Sequence, residues 1–299
     1  MQVTREALSR FLSWEPRWTM EDGLVLRGLT ALFRATGDEK YKNLILNYMQ
    51  AGVSESGNTL KTLVMIESPH DPASCGNTLL FAWHETGEER YKKALSIIIS
   101  HMEADPPPAL PWELYGTLPF MAEYDTQFGG KQAYKTIVRQ FTVAHDQLFA
   151  PEKGLYRTWL HQNELGFSLQ DEGLMLMALV DTIEKMDMQI YEHYRALADL
   201  FLIAVKGLVR WQDQDTGLLH RIIDQKETQI DWGGNAMGIY AIRKGVRMGL
   251  LDEEKYLPLA KRAYTNLVGQ IHASSELFDE WLIGPVVMAQ AEMWEGSNA

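Results

Sequence analysis

The stretch RATGDEKYKNLILNYM, Arg34–Met49, is written again fifty residues on within HETGEERYKKALSIIISHM, His84–Met102. In both, a Thr-Gly pair and a charged run lead to a tyrosine. Apolar residues follow that tyrosine at +3, +4, +7 and +8: Leu44, Ile45, Tyr48 and Met49 in one copy, Ala94, Leu95, Ile98 and Ile99 in the other. That spacing is one face of an amphipathic helix. Tyr134, Tyr194 and Tyr256 open similar runs, so successive tyrosines stand 50, 43, 60 and 62 residues apart. Gly37 and Gly87 sit where a preceding helix needs a left-handed residue to stop. Each tyrosine therefore opens the second helix of a hairpin.

The first helices have another texture. Gly23–Ala35, Gly76–Glu85, Glu113–Phe128, Leu169–Lys185 and Gly234–Val246 are rich in Leu, Met, Ala and Gly and poor in charge. Helices apolar nearly all round are buried on most sides. A sixth such segment, Leu282–Trp294, lacks a partner after it, and Val3–Trp14, with Leu8, Phe11 and Leu12 on one face, lacks one before it. Pairing the two makes six inner and six outer helices. Repeated hairpins bury their faces on their neighbours. The expected fold is all-α, an (α/α)6 barrel or six-hairpin toroid; an open helical solenoid is the alternative. Strand signals are confined to two candidate hairpins, GLYRTWLHQNELGFS and LLHRIIDQKETQIDW.

The 299 residues, 46% hydrophobic and 23% charged, suit one large domain over 1–299. No apolar run reaches the roughly 18 residues of a membrane span. The first residues do not read as a secretory signal. Cys75 is the single cysteine, which excludes an intrachain disulfide. These features lead to a cytoplasmic protein. A net charge of −12 argues against nucleic acid or an anionic membrane as partner. Homo-oligomer formation is left open.

In a toroid, the segments leading into the inner helices gather on one rim. They read RWTMEDG, SPHDPASCG, LPWELYG, FSLQDEG, IDWGGNAM and FDEWLIGP. Every one carries a carboxylate. Four of the nine tryptophans stand in them, Trp18, Trp112, Trp232 and Trp281, and Trp159 in a candidate hairpin is a fifth. Indole faces stack on sugar rings, carboxylates bond hydroxyls, and paired acids transfer protons. Each feature also has a plain structural reading. Thr19-x-x-Asp22 and Ser168-x-x-Asp171 match capping boxes, and acids suit helix N-termini.

Other chemistries find little support. There is no GxSxG, P-loop, GxGxxG or HExxH, and no pair of histidines has metal-ligand spacing. No cofactor or metal is expected. His70, beside Asp71, is the one histidine in a rim segment. Cys75 reads as a buried, inert thiol.

The stretches EDGLVLRGLTALFRATGDEKY, HDPASCGNTLLFAWHETGEERYKKAL, LYGTLPFMAEY, the run from Arg210 to Ala260 around DWGGNAMGIYAIRKGVRMGLLDEEKYLPLA, and GPVVMAQAEM resemble the unsaturated rhamnogalacturonyl hydrolases, glycoside hydrolase family 105. Their relatives, the unsaturated glucuronyl hydrolases, are similar too. The resemblance spans nearly the whole chain and implies the same (α/α)6 barrel. It implies an acidic substrate, an oligosaccharide left by a polysaccharide lyase and ending in a 4,5-unsaturated uronic acid.

The resemblance also implies site residues. The family has an aspartate five residues before the glycine of the second inner helix, and Asp71 stands five before Gly76. A second aspartate lies in a Trp-x-Asp-x-Leu-Tyr pattern before the third, where this chain has Trp112-Glu113-Leu114-Tyr115. Ungapped from Pro119, Trp112 falls on that aspartate; with one residue deleted Glu113 does, and Glu113 is carried forward. The catalytic pair implied is Asp71 and Glu113. The fourth inner helix departs from the family's Trp-Gly-Arg-Gly-Asn-Gly-Trp-like run. Gln170 takes the arginine's place, with Asp171 and Glu172 after it. Arg157, near the place of a family histidine, is the candidate for the missing positive charge. Trp18, His70, Trp112, Tyr115, Arg157, Trp159, Gln170, Asp171, Glu172, Asp231, Trp232, Asn235 and Trp281 are the expected substrate-binding residues. Asp171 and Glu172 form a competing acid site. Besides hydrolysis, a sugar-binding barrel without turnover or an epimerase on the same toroid is compatible with the residues.

Overall fold

In a computed structural model, the structure describes residues 15–58, 71–104, 110–159, 165–188, 190–274 and 280–295. Two compact units emerge, Met1–Pro108 with Phe278–Ala299, and Ala109–Leu277. Among the described residues no helix is long and apolar enough to cross a membrane.

The first unit holds α1 (Met20–Thr36), α2 (Glu39–Gly52), a single helical turn Asp71–Ser74, α3 (Gly76–Thr86), α4 (Glu89–Ala104) and, from the other end of the chain, α11 (Glu280–Glu295). The expected hairpins are α1–α2 and α3–α4. Gly37 and Gly87 close α1 and α3 at φ 67° and 68°, donating to the Phe33 and Trp83 carbonyls at 2.8 Å. Tyr41, Ile45 and Met49 of α2, and Tyr91, Leu95 and Ile98 of α4, are buried as their spacing requires. The expected helix Val3–Trp14 lies outside the described residues.

Three inner helices of this unit run in one direction. Gly284 of α11 lies against Leu24 of α1, and Val287 against Gly28. Ser74, just before α3, donates through its hydroxyl to the Thr19 carbonyl before α1 at 2.9 Å. Near the opposite ends, Phe33 and Phe81 meet edge to face at 5.7 Å. The closest approach is tight: a Cβ on Gly284 would stand 2.6 Å from the Leu24 carbonyl carbon. Backbone cannot swing aside as a side chain can, so Gly284→Ala is expected to cost about 1–3 kcal/mol. Urea unfolding reads this directly, and an unchanged midpoint would contradict the packing.

The second unit holds α5 (Pro111–Tyr124), α6 (Tyr134–Leu148), α7 (Leu169–Lys185), α8 (Tyr191–Val209), α9 (Trp232–Arg247) and α10 (Glu253–Ala273). Inner helices α5, α7 and α9 pack side by side, with α6, α8 and α10 against them. They too run in parallel. Gly234 and Met237 meet Leu169 and Gly173 at the N-terminal ends. Tyr240 and Lys244 meet Asp181 near the C-terminal ends, where Lys185 also pairs with Glu123 of α5 at 2.8 Å.

Two expectations shift. Regular helix in α5 stops at Tyr124 and passes into a π-helical turn, Asp125–Gly129, where Asp125 accepts the Ala133 N–H at 2.8 Å. Helix α8 starts at Tyr191, so Tyr194 lies inside it, half-buried, and Leu197 is the first buried residue. Both strand segments are hairpins. Four short strands, β1 (Phe149–Ala150), β2 (Leu155–Tyr156), β3 (Thr158–Trp159) and β4 (Leu165–Gly166), pair antiparallel as β1–β2 and β3–β4. A bridge between His220 and Ile230 ties the second hairpin, ahead of α9.

Candidate active site

Because the inner helices of each unit are parallel, their N-terminal ends, with the acids and tryptophans picked out from sequence, gather at one end of each unit.

In the first unit this end holds Trp18, Asp22, Cys75 and Trp281. Asp22 is saturated. It accepts the Arg17 N–H at 2.9 Å, the Arg17 guanidinium at 2.6 and 3.1 Å, and the Tyr48 hydroxyl at 2.6 Å. Thr19 caps α1 by accepting the Asp22 N–H at 3.5 Å. Trp18 is wholly buried, its ring 6.0 Å from that of Tyr48 and its indole over Gly52. Its backbone takes φ 60°, a region that costs a bulky residue about 1–3 kcal/mol. Burial of the ring and an N–H bond to the Tyr48 hydroxyl at 3.1 Å hold it there. Trp18 thus anchors the start of α1 rather than lining a surface. Cys75 is buried, and burial pushes its thiol far up, so it is inert as expected. Asp71 opens the helical turn before α3. Trp281 is half-buried in the first turn of α11. His70 lies outside the described residues.

In the second unit, Glu113 stands in the first turn of α5, buried at 5% exposure, between half-buried Trp112 and buried Leu114. Tyr115 is buried behind it. An acid in the first turn also meets the helix dipole. Gln170 and Asp171 are half-buried in the first turn of α7. Ser168 caps that helix by accepting the Asp171 N–H at 3.4 Å. The Thr158 hydroxyl donates to the Asp171 carboxylate, and burial raises that carboxyl above its ordinary value against this bond. Glu172 is fully buried and accepts the Tyr156 N–H at 2.8 Å. Trp159, next to Thr158, is the most open of the candidates whose burial is described, at 65% exposure. Arg157 turns to Glu152, at 2.7 Å, so its charge is directed there.

The α9 residues are largely committed to the fold. Asp231 caps the helix by accepting the Gly234 N–H at 2.8 Å. Trp232 donates its indole N–H to Gln270 at 3.1 Å. Asn235 accepts from the Leu219 N–H and donates to the Leu219 and Asp231 carbonyls. Tyr48, Tyr156 and Thr158 organise these ends and escaped the sequence reading as site residues. The signal that marks Tyr156 is its place sixteen residues before Glu172, the same interval as from Leu219 to Asn235. Among the described residues no group of three or more His, Cys, Asp or Glu is placed to hold a metal ion. What the ends do offer is buried carboxyls beside aromatic rings, an arrangement for proton transfer to a polar ring compound.

Comparison with solved structures agrees with the helical fold. A glycoside hydrolase of family 105 from C. acetobutylicum ATCC 824 superposes with a TM-score of 0.84 at 22% identity, covering 99% of each chain. A family 88 glycosyl hydrolase from Bacteroides vulgatus gives 0.79 at 14% identity, covering 98% of this chain and 97% of that one. The unsaturated glucuronyl hydrolase of Bacillus sp. GL1, responsible for glycosaminoglycan degradation, gives 0.65 at 14% identity, covering 97% and 93%. These likenesses show the fold class, the all-α six-hairpin toroid expected from the helix count. The model of Glycosyl Hydrolase Family 88 matches residues 1–289. The chain is a glycoside hydrolase and belongs to glycosyl hydrolase family 88.

Proposed function

We propose that the protein removes a terminal 4,5-unsaturated uronic acid, galacturonyl or glucuronyl, from lyase-generated oligosaccharides by hydrating the C4=C5 double bond. The observation that carries this reading is the family match over residues 1–289. The buried acid Glu113, at a helix N-terminus beside a half-buried tryptophan, supports it. The reading extends to a single domain over 1–299 acting in the cytoplasm on a free oligosaccharide.

The substrate ring is a vinyl ether. A protonated carboxyl gives its proton to C4, and the ring oxygen stabilises cation character at C5. Water loses a proton to the carboxylate as its oxygen bonds to C5. The hemiketal so formed opens and expels the neighbouring sugar. One carboxyl with a raised pKa can serve as acid and then as base, and burial supplies such a shift. Asp71 and Glu113 are the residues assigned to this pair. Trp112 and Trp159 are the rings assigned to the sugar faces.

The test is incubation with unsaturated disaccharides that differ in their second sugar, following the ultraviolet absorbance of the conjugated acid. Absorbance should fall for at least one of them, and the fastest names the preferred second sugar. Quenching of tryptophan fluorescence by these sugars, with absorbance constant for all, would instead show a binding barrel without turnover.

A further inference from the structure

Two positions of the second unit repeat each other beyond what helical period requires. Glu172 is the fourth residue of α7 and Asn235 the fourth of α9. Each reaches back sixteen residues to the hairpin before its helix. Asn235 Oδ1 accepts the Leu219 N–H at 2.9 Å, and Glu172 Oε2 accepts the Tyr156 N–H at 2.8 Å. Asn235 completes its clamp with the second atom, Nδ2, which donates to the Leu219 carbonyl at 2.8 Å. The second atom of Glu172, Oε1, is buried and has no partner among the described residues. A carboxylate has no proton to give; a neutral carboxylic acid has one acceptor and one donor, as an amide does. An orphan oxygen on an ionised group at 0% exposure would be costly.

We propose that Glu172 is built into the fold as the neutral acid, an asparagine surrogate whose Oε2 clamps the β1–β2 hairpin onto α7 while its other oxygen stays uncharged in the buried site. The surroundings favour that form. Asp171 on its own helix is the titratable group whose charge acts on it, Tyr156 on β2 acts through its backbone N–H, and the Tyr156 hydroxyl bonds His145 of α6 at 3.0 Å. Helices α5 and α9 bring the acids Glu113 and Asp231 to the same end, while Lys206 and Arg210 at the end of α8 are exposed. Burial pushes the Glu172 carboxyl up to about 8, opposed by the Tyr156 N–H and helped by the Asp171 charge. The clamped strand β2 leads through Arg157 into β3, which carries Thr158, bonded to Asp171, and the exposed Trp159. Glu172 is thereby a positioning residue for Trp159, the most exposed tryptophan among the described residues. This inference stands apart from the proposed reaction, because its first test reads unfolding.

The experiment is chemical unfolding of the full chain from pH 5 to pH 9 for the wild type, Glu172→Gln and Glu172→Leu. Gln offers one acceptor and one donor at every pH. A raised folded-state pKa makes the contribution of Glu172 complete below the ordinary carboxylate range and lost as pH rises toward the folded value. Glu172→Gln should therefore come nearest to the wild type at pH 5. Between there and pH 8 the wild-type unfolding constant should grow relative to Gln, by up to about tenfold per pH unit. Glu172→Leu should be less stable than Gln throughout. A wild-type to Gln ratio that does not change with pH would overturn the proposal, as would a Gln variant that fails to fold. On an unsaturated disaccharide, Glu172→Leu, which leaves the hairpin unclamped, should raise KM more than it lowers kcat. A kcat lowered about a hundredfold with KM unchanged would make Glu172 the acid itself and overturn the positioning role.

Discussion

Glu113→Gln and Asp71→Asn are each expected to lose about 10²–10⁴ in turnover, the usual cost of removing a positioned acid or base. Both substitutions keep the shape and a hydrogen-bonding amide but remove the transferable proton. Fold and sugar affinity should therefore change little, and kcat should fall far more than KM rises. The two acids stand in comparable places, Asp71 in the turn before α3 of the first unit and Glu113 in the first turn of α5 of the second. Steady-state kinetics with a single unsaturated disaccharide checks both. The competing acid on α7 provides the opposite outcome. Full activity in Glu113→Gln with activity lost in Asp171→Asn would move the proton donor to Asp171, whose carboxyl burial already raises.

Lys244→Ala is expected to destabilise the second unit by about 3–5 kcal/mol, the cost of stripping one partner from a buried ion cluster. Lys244 is 5% exposed and reaches Asp181 at 2.8 Å, Glu184 at 2.8 Å and the Tyr240 hydroxyl at 3.0 Å. Tyr240 in turn donates to Asp181 at 2.7 Å, and Arg247 pairs with Glu184 at 2.9 Å. Without the ammonium, Asp181 keeps its burial and loses its cation. The pH dependence has a definite sign. Burial alone would raise the Glu184 carboxyl, but the charges of Lys244 and Lys185 and bonds from Lys244 and Arg247 hold it well below the usual range. Its stabilisation is therefore present above the ordinary carboxylate range and lost as pH falls below it. Denaturant midpoints at pH 7 and pH 4 should show a wide gap between wild type and Lys244→Ala that narrows in acid. Equal midpoints at pH 7 would show the cluster to be without weight.

The helices were largely legible because their signals are local. The bounds Leu169–Lys185 can be read from apolar texture alone, and the structure has the same limits. Gly37 and Gly87 announce their turns because few other residues accept a positive φ. Tyr194 misleads because a tyrosine on an outer helix is a packing choice, not a cap; α8 begins one turn earlier. The site was less legible. A tryptophan in a rim segment reads the same whether it faces a ligand or the core, and only tertiary contacts separate buried Trp18 from exposed Trp159. Arg157 reads as a free charge until Glu152 is seen beside it. Glu172 and Asn235 look like two polar rim residues, and their shared clamp exists only once each hairpin folds back on its helix.

The most direct test of the proposed chemistry compares two disaccharides that differ only in the terminal uronyl ring, one with the C4=C5 double bond and one saturated. Hydration needs the double bond, since a saturated C4 has no π electrons to take the proton. The account predicts that the unsaturated compound loses its absorbance in step with release of the second sugar, while the saturated one stays whole. Cleavage of the saturated compound, or constant absorbance with the folded protein and every unsaturated substrate, would contradict it.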